Sequence, residues 1–218
     1  LLAECETCGR HALTKTVAEL IKKQALEPQR PTREEAEEAV RTLLAWAGDD
    51  PDREGLLATP QRVVEAFDEY FAGYLQDPIA ILRESSFDDI AGYDDIVLVK
   101  DIRVFSHCEH HIAPFSGTAH IAYYPDRHVA GFSRLARLVE VFARRLTTQE
   151  TLTAQVAQAL TEGLEPRGAA VMIEARHNCM TARSVQQTET RVVTTRFTGC
   201  FAADPDLQKR FIDLSTAR

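Results

Sequence analysis

Cys108-Glu109-His110-His111 places a thiol and two imidazoles within four residues, directly after a β-rich run, and His177-Asn178-Cys179 closes a second such run. Zinc is bound by thiolate sulfur and imidazole nitrogen, and a Cys-x-x-His spacing lets one turn of backbone present both to a single ion. Residues two apart on a strand face the same side, so His177 and Cys179 are expected to point into one cavity. Cys108, His111 and Cys179 would give zinc three protein ligands and leave a fourth position for water, the pattern of a catalytic rather than a structural site. Bound zinc lowers the pKa of water to about 7, which supplies a nucleophile at neutral pH. His110 and His177 stand outside that ligand set, and an imidazole titrating near neutrality can both give and take protons. His107, beside the motif, has no assigned chemistry and reads as a solvated ring.

A second group of residues suits an anion. Ser133-Arg134-Leu135-Ala136-Arg137 opens a helix with a hydroxyl and two cations, and a helix N-terminus adds backbone N–H donors suited to phosphate. Arg183, four residues beyond Cys179, and Arg62, at the start of an earlier helix, can join them. Gln149-Glu150 begins another helix, where a carboxylate favours the helix dipole. The same carboxylate can instead accept two N–H bonds from the Watson–Crick edge of guanine, whose N1–H and N2–H lie side by side. Both readings of Glu150 stand at this point.

The elements that must position these groups fall into two parts. Residues 1–95 read as helical. Ala12 to Ala25 has helical periodicity, and Thr32-Arg33-Glu34-Glu35 is a capping box for a helix through Val40, Leu43 and Leu44 to Gly48. Thr59-Pro60 supplies an expected N-cap and first-position proline for a helix striped by Val63, Val64, Phe67, Tyr70, Phe71 and Tyr74, with Gly73 and Pro78 ending it. An acidic linker from Glu84 to Asp95 follows. Residues 96–218 then alternate β-rich and helical runs: Ile96–Phe105, Gly117–Tyr124, a helix over Ser133–Leu146, a helix over Gln149–Leu164, Ala169–Ala175, Arg191–Phe197, and a C-terminal helix opened by Asp204-Pro205. This order predicts an α+β domain, a four-stranded antiparallel sheet with two helices on one face and the Cys-Glu-His-His motif in the first connection. The uncovered sheet face invites oligomerisation.

Composition bounds the function. The chain has 218 residues, a hydrophobic fraction of 44% and no apolar run near the roughly 18 residues of a membrane span, so a soluble protein is expected. Its beginning, Leu1-Leu2-Ala3-Glu4, does not read as a secretory signal. Five cysteines scattered over this length suit a reducing cytoplasm rather than a disulfide framework, and Cys5-Glu6-Thr7-Cys8 is assigned to a mobile terminus. Net charge is -8, but unevenly spread: residues 1–95 carry 10 Lys+Arg against 21 Asp+Glu, while residues 96–218 carry 15 against 12. A globally acidic chain argues against nonspecific nucleic-acid binding, and a locally basic half suits a small polyanion.

The motifs, taken together and in order, resemble the GTP cyclohydrolase I family. The likeness runs from Asp52-Arg53-Glu54-Gly55-Leu56 and Thr59-Pro60-Gln61-Arg62-Val63 through Cys108-Glu109-His110-His111, Gly131-Phe132-Ser133-Arg134-Leu135-Ala136-Arg137, Gln149-Glu150-Thr151-Leu152-Thr153 and His177-Asn178-Cys179-Met180, about three-quarters of the chain. The resemblance implies a tunnelling fold whose subunits join sheet edge to sheet edge into pentameric rings, two of them stacked as a homodecamer with active sites between subunits. It implies that Cys108, His111 and Cys179 hold zinc, that His110 and His177 transfer protons, that Glu150 and Gln149 hold guanine, and that Ser133, Arg134, Arg137, Arg183 and Arg62 hold the triphosphate. The implied reaction converts GTP and water to 7,8-dihydroneopterin triphosphate and formate, the first step of pterin and folate biosynthesis. Three positions depart from the family pattern: Arg134 where lysine is usual, Ser184 where glycine is usual, and His107 where an apolar or small residue is common. Arginine keeps the charge of lysine with a different donor geometry. A divergent tunnelling-fold paralogue acting on another purine or pterin, and a non-catalytic zinc-stabilised oligomer, are the competing readings.

Overall fold

The computed structural model describes residues 30–84, 86–87, 92–182 and 186–217. The helix expected over Ala12–Ala25, Cys5, Cys8, Arg183 and Ser184 lie outside these residues.

The described chain begins with two helices, α1 (Arg33–Trp46) and α2 (Thr59–Tyr70), packed on each other. The capping box at α1 is present: Glu35 N–H donates to Thr32 Oγ1 at 3.2 Å and Thr32 N–H to the Glu35 carboxylate at 2.8 Å. Ala58, not Thr59, is the N-cap of α2, so Thr59 already belongs to the helix. No residue of α1 is buried, and Trp46 is 87% exposed. A 3-10 turn (Ala72–Leu75) then leads to α3 (Pro78–Arg83), whose Asp77 cap accepts from Ile79 N–H and Ala80 N–H. Gly73 sits in that turn because a Cβ there would come within 2.0 Å of Val141 O. Leu82 of α3 is fully buried in the main core.

Within the acidic linker, β1 (Ser86–Phe87) pairs with β4 (Val129–Ala130). The main sheet contains β2 (Val97–Cys108), β3 (Pro114–Tyr124), β5 (Leu146–Thr147), β6 (Gly168–His177) and β7 (Val192–Phe197), in the order β5-β2-β3-β6-β7. The four long strands are antiparallel neighbours, as expected. The sequence reading missed the two-residue β5, which runs parallel to β2 and makes the sheet five-stranded. A run of two residues has no periodicity to detect.

Helices α4 (Phe132–Ala143) and α5 (Gln149–Leu164) cover one face. Leu135, Leu138, Val139 and Phe142 of α4 and Leu152, Val156 and Leu160 of α5 meet Ala119, Ile121, Val171 and Ile173 in one buried cluster. The opposite face is not bare. Beyond β7 the chain forms α7 (Gly199–Ala203) and α8 (Pro205–Thr216), whose Phe201 and Phe211 bury Ile96, Ala122, Ala170 and Met172. The alternation of β3 and β6 supplies a second apolar face at that end, and these helices cover it. Among the described residues no helix is long and apolar enough to cross a membrane.

Candidate active site

The sulfur and imidazole groups gather where β2 and β6 end, with β3 between them. Cys108 is the last residue of β2 and is 6% exposed. The chain then doubles back: Cys108 N–H donates to Ala113 O at 2.9 Å, Ile112 N–H donates to Cys108 O at 2.8 Å, and Ile112 takes φ +54°. Glu109 N–H donates to Thr147 O at 3.1 Å, tying the turn to β5. The motif therefore starts inside a strand and only its remainder forms the connection. β6 ends at His177, and Asn178–Thr181 winds a short helix, α6. Cys179 thus enters from a helical turn, which corrects the expectation that it shares a strand face with His177.

The outcome is a cluster in which one donor atom each from Cys108, His111 and Cys179 lies within 4.8 Å of the others. Zinc takes sulfur at about 2.3 Å and nitrogen at about 2.0–2.1 Å in tetrahedral array, which sets donors roughly 3.3–3.8 Å apart. The cluster needs little adjustment to meet that spacing, and its two thiols and one imidazole are soft donors, so the residues fit the metal. His110 Nδ1 lies 3.6 Å from Cys108 Sγ.

His177 is held in two directions. Its ring stacks on Phe115 with centroids 4.5 Å apart and planes within 10°, because the two residues are paired across β3 and β6. Its Nε2 lies 2.8 Å from Gln149 Oε1. Burial pushes the imidazole below its ordinary range, and the Glu150 carboxylate works against that shift. Gln149 is 1% exposed and donates from Nε2 to Ile173 O and Val192 O, both at 2.9 Å, and to Thr194 Oγ1 at 3.1 Å. Glu150, one residue on, is exposed in the first turn of α5, whose cap is Thr148.

The cations are arranged differently. Arg134 pairs with Glu84 at 2.9 Å. Arg137 donates to Glu140 at 2.9 Å and to Gln76 Oε1 at 2.8 Å, and Glu140 also receives Arg144 at 2.9 Å. Ser133 and Arg137 line a cleft of about 1000 Å³, to which the sheet contributes Arg103 and Arg176 and the residue just before β7, Arg191. The lining of this cleft includes none of the sulfur or imidazole groups described above. Arg62 is exposed near the start of α2. Within one chain the sulfur–imidazole corner is therefore assembled, whereas the proposed phosphate ligands are distributed.

Sequence reasoning missed Phe115, Gln76 and Glu140. Phe115 was open to detection, since it shares the alternation of Ala119 and Ile121 on the buried face of β3. Glu140 was also open to detection, standing at i+3 from Arg137 and four residues before Arg144, whereas Gln76 carries no such signal because its role depends on where Arg137 falls.

A family model described as GTP cyclohydrolase I matches residues 36–216. The chain belongs to the GTP cyclohydrolase I family of enzymes. It is 58% identical over 186 residues to the GTP cyclohydrolase 1 of Hyphomonas neptunium (strain ATCC 15444), an alignment covering 85% of this chain and 90% of that one. It is 56% identical over 185 residues to the GTP cyclohydrolase 1 of Maricaulis maris (strain MCS10), with coverage of 85% and 90%. It is 55% identical over 186 residues to that of Brucella canis (strain ATCC 23365 / NCTC 10854 / RM-666), with coverage of 85% and 87%. The α+β tunnelling fold implied by the resemblance agrees with this membership of the GTP cyclohydrolase I family. His107 is not solvated as expected: it is 6% exposed and packs among Tyr70, Phe71 and Phe105, with 4.6 Å between its centroid and that of Tyr70.

Proposed function

We propose that the chain is a zinc-dependent GTP cyclohydrolase I, converting GTP and water to 7,8-dihydroneopterin triphosphate and formate at the first step of pterin and folate biosynthesis. The observation that carries this reading is the convergence of Cys108, His111 and Cys179 beside His110 and the oriented ring of His177. Those three residues would hold zinc, which when bound acts as a Lewis acid and activates water near neutral pH. His177 gives a proton to guanine N7, making C8 electrophilic. Water adds at C8 and the imidazole ring opens to a formamide, which a second water hydrolyses to formate and the free amine, with His110 positioned to shuttle protons beside the cluster; the later condensation with the sugar returns one water. Glu150 accepts from guanine N1–H and N2–H.

Ser133, Arg134, Arg137, Arg183 and Arg62 hold the triphosphate, keeping the opened intermediate in place while the freed amine condenses with the rearranged sugar. Residues 1–95 are assigned to an N-terminal helical region, whose α3 joins the main core through Leu82, and residues 96–218 to the catalytic domain. The enzyme works in the cytoplasm as a homodecamer of two pentameric rings, with each phosphate grip completed between subunits. The exposed Leu43 and Trp46 of α1, at 64% and 87%, suit burial against neighbouring copies.

The test is formate release from GTP, with and without chelator, together with fluorescence of the oxidised product. Chelation should abolish formate release and added zinc should restore it. Zinc-loaded, oligomeric protein that consumes GTP without formate, or leaves GTP untouched, would overturn the proposal.

A further inference from the structure

We propose that Gln149 is a positioning residue that fixes the proton of His177 on Nε2, so that Nδ1 is the nitrogen through which His177 exchanges protons with the substrate. This deepens the proposed function and rests on it, but it departs from the role in guanine binding that the resemblance implies for Gln149.

Ile173 O and Val192 O, each 2.9 Å from Gln149 Nε2, can only accept. The third neighbour, Thr194 Oγ1, also faces Gln149 as an acceptor. Thr153 spends its single hydroxyl hydrogen on Gln149 O at 2.7 Å, so the 2.7 Å contact between Thr153 Oγ1 and Thr194 Oγ1 takes the hydrogen of Thr194. Three acceptors therefore surround one end of the Gln149 amide, and that end must be the NH2 group. Turned over, the amide would set its own carbonyl against two backbone carbonyls in a buried site, losing their hydrogen bonds as well.

The carbonyl of Gln149 is thereby directed at His177 Nε2, 2.8 Å away, and a carbonyl requires an N–H opposite it. A neutral imidazole has one N–H. With that hydrogen held at Nε2, the lone pair is on Nδ1, and the stack on Phe115 fixes the plane in which it points. Protonation and deprotonation at Nδ1 leave the Gln149 contact intact, so the ring can cycle without reorienting. Gln149, with its amide hydrogens and carbonyl committed, has nothing to offer guanine without breaking this network. Glu150, exposed at the adjacent position, keeps that role.

The experiment uses the full chain as zinc-loaded oligomer and compares GTP with inosine triphosphate, which lacks the 2-amino group. Gln149→Met should lower kcat for GTP roughly 10–100-fold, leave KM within about 3-fold and leave the preference for GTP over inosine triphosphate unchanged. Gln149→Glu, which as a buried neutral acid retains one acceptor and one donor, should recover much of kcat. A loss in Gln149→Met that falls on KM and on discrimination between the two nucleotides would overturn the proposal.

Solid-state 15N spectra of histidine-labelled unsubstituted protein, with the His177 signals identified by their loss in His177→Asn, test the same point without a Gln149 variant. Above the imidazole titration range they should show the proton on Nε2; a proton on Nδ1 would overturn the inference. If the unsubstituted enzyme releases no formate from GTP, the functional reading fails, while the spectra still decide the tautomer.

Discussion

The sulfur–imidazole corner and the arginine cleft solve opposite problems. In the corner, each group is held by backbone that has little freedom: Cys108 by a paired strand and a closed turn, and His177 by a strand end, an aromatic stack and a buried amide. In the cleft, Arg137 sits on an exposed helix face and is met by the Glu140 carboxylate, the two side chains 47% and 37% exposed. Exposed pairs of this kind contribute about 0–1 kcal/mol each, so the Arg137–Glu140 pair costs little to open. The corner's groups are preorganised by the core, and Arg137 in the cleft is held at the surface.

The strongest way to break this contrast is to remove a thiol. Cys108→Ala should reduce formate release by at least about 10³-fold and abolish stoichiometric zinc uptake. Retained zinc with lost activity would show that the corner holds metal without depending on Cys108.

Next in size is Arg145, the buried cation behind the cleft. It is 1% exposed, donates to Gly73 O at 3.1 Å and Gln76 O at 3.2 Å, and lies against the rings of Tyr74 and Phe142. Burial lowers its pKa. Arg145→Met strips both carbonyls of a partner and should cost about 2–4 kcal/mol, read as a fall in melting temperature of roughly 5–15 °C. An unchanged melting temperature would mean that the turn carrying Gln76 is held by other contacts.

Arg137→Ala should raise KM for GTP about 10–50-fold with kcat little changed, as expected for lost ground-state binding of phosphate. Glu140→Gln is the informative opposite. Freeing Arg137 and Arg144 from their internal carboxylate should lower KM about 2–5-fold at low salt, and the gain should shrink as salt is added. A rise in KM instead would show that Glu140 positions the arginines rather than competing for them.

The smallest effect concerns pH and the sheet itself. His120 on β3 is buried, accepts from Asp101 N–H at 3.4 Å, and is held below the ordinary imidazole range by desolvation, with Asp101 opposing. The unfolded chain protonates this ring at about pH 6.5 and the folded chain only at lower pH. Its contribution is therefore complete above the unfolded value and declines as pH falls through it toward the folded one. His120→Gln should flatten the drop in melting temperature between about pH 7 and 5 by a few degrees. An identical slope would remove His120 as its source.

Local chemistry in the sequence carries much of the fold. The capping box at Thr32, the Asp204-Pro205 start, the extent of α5 and the existence of the four long strands all follow from patterns within a few residues. Boundaries failed where tertiary contacts override periodicity: α4 stops at Ala143 rather than Leu146 because the chain there leaves to join β2 as β5. His107 looked solvated because nothing local shows that α2 brings Tyr70 and Phe71 against it.

By itself, the sequence determined the residue types that can bind a soft metal, transfer protons and pair with phosphate, because those are properties of side chains. It also determined the periodicities that form the strands and helices carrying them. Only the tertiary structure decided that Cys179 meets Cys108 and His111, that Gln149 is spent on His177, and that Arg137 reaches Gln76. The Gln149–His177 and Arg137–Gln76 contacts join residues far apart in the chain, and a buried donor or acceptor is assigned its role by whatever the fold places opposite it.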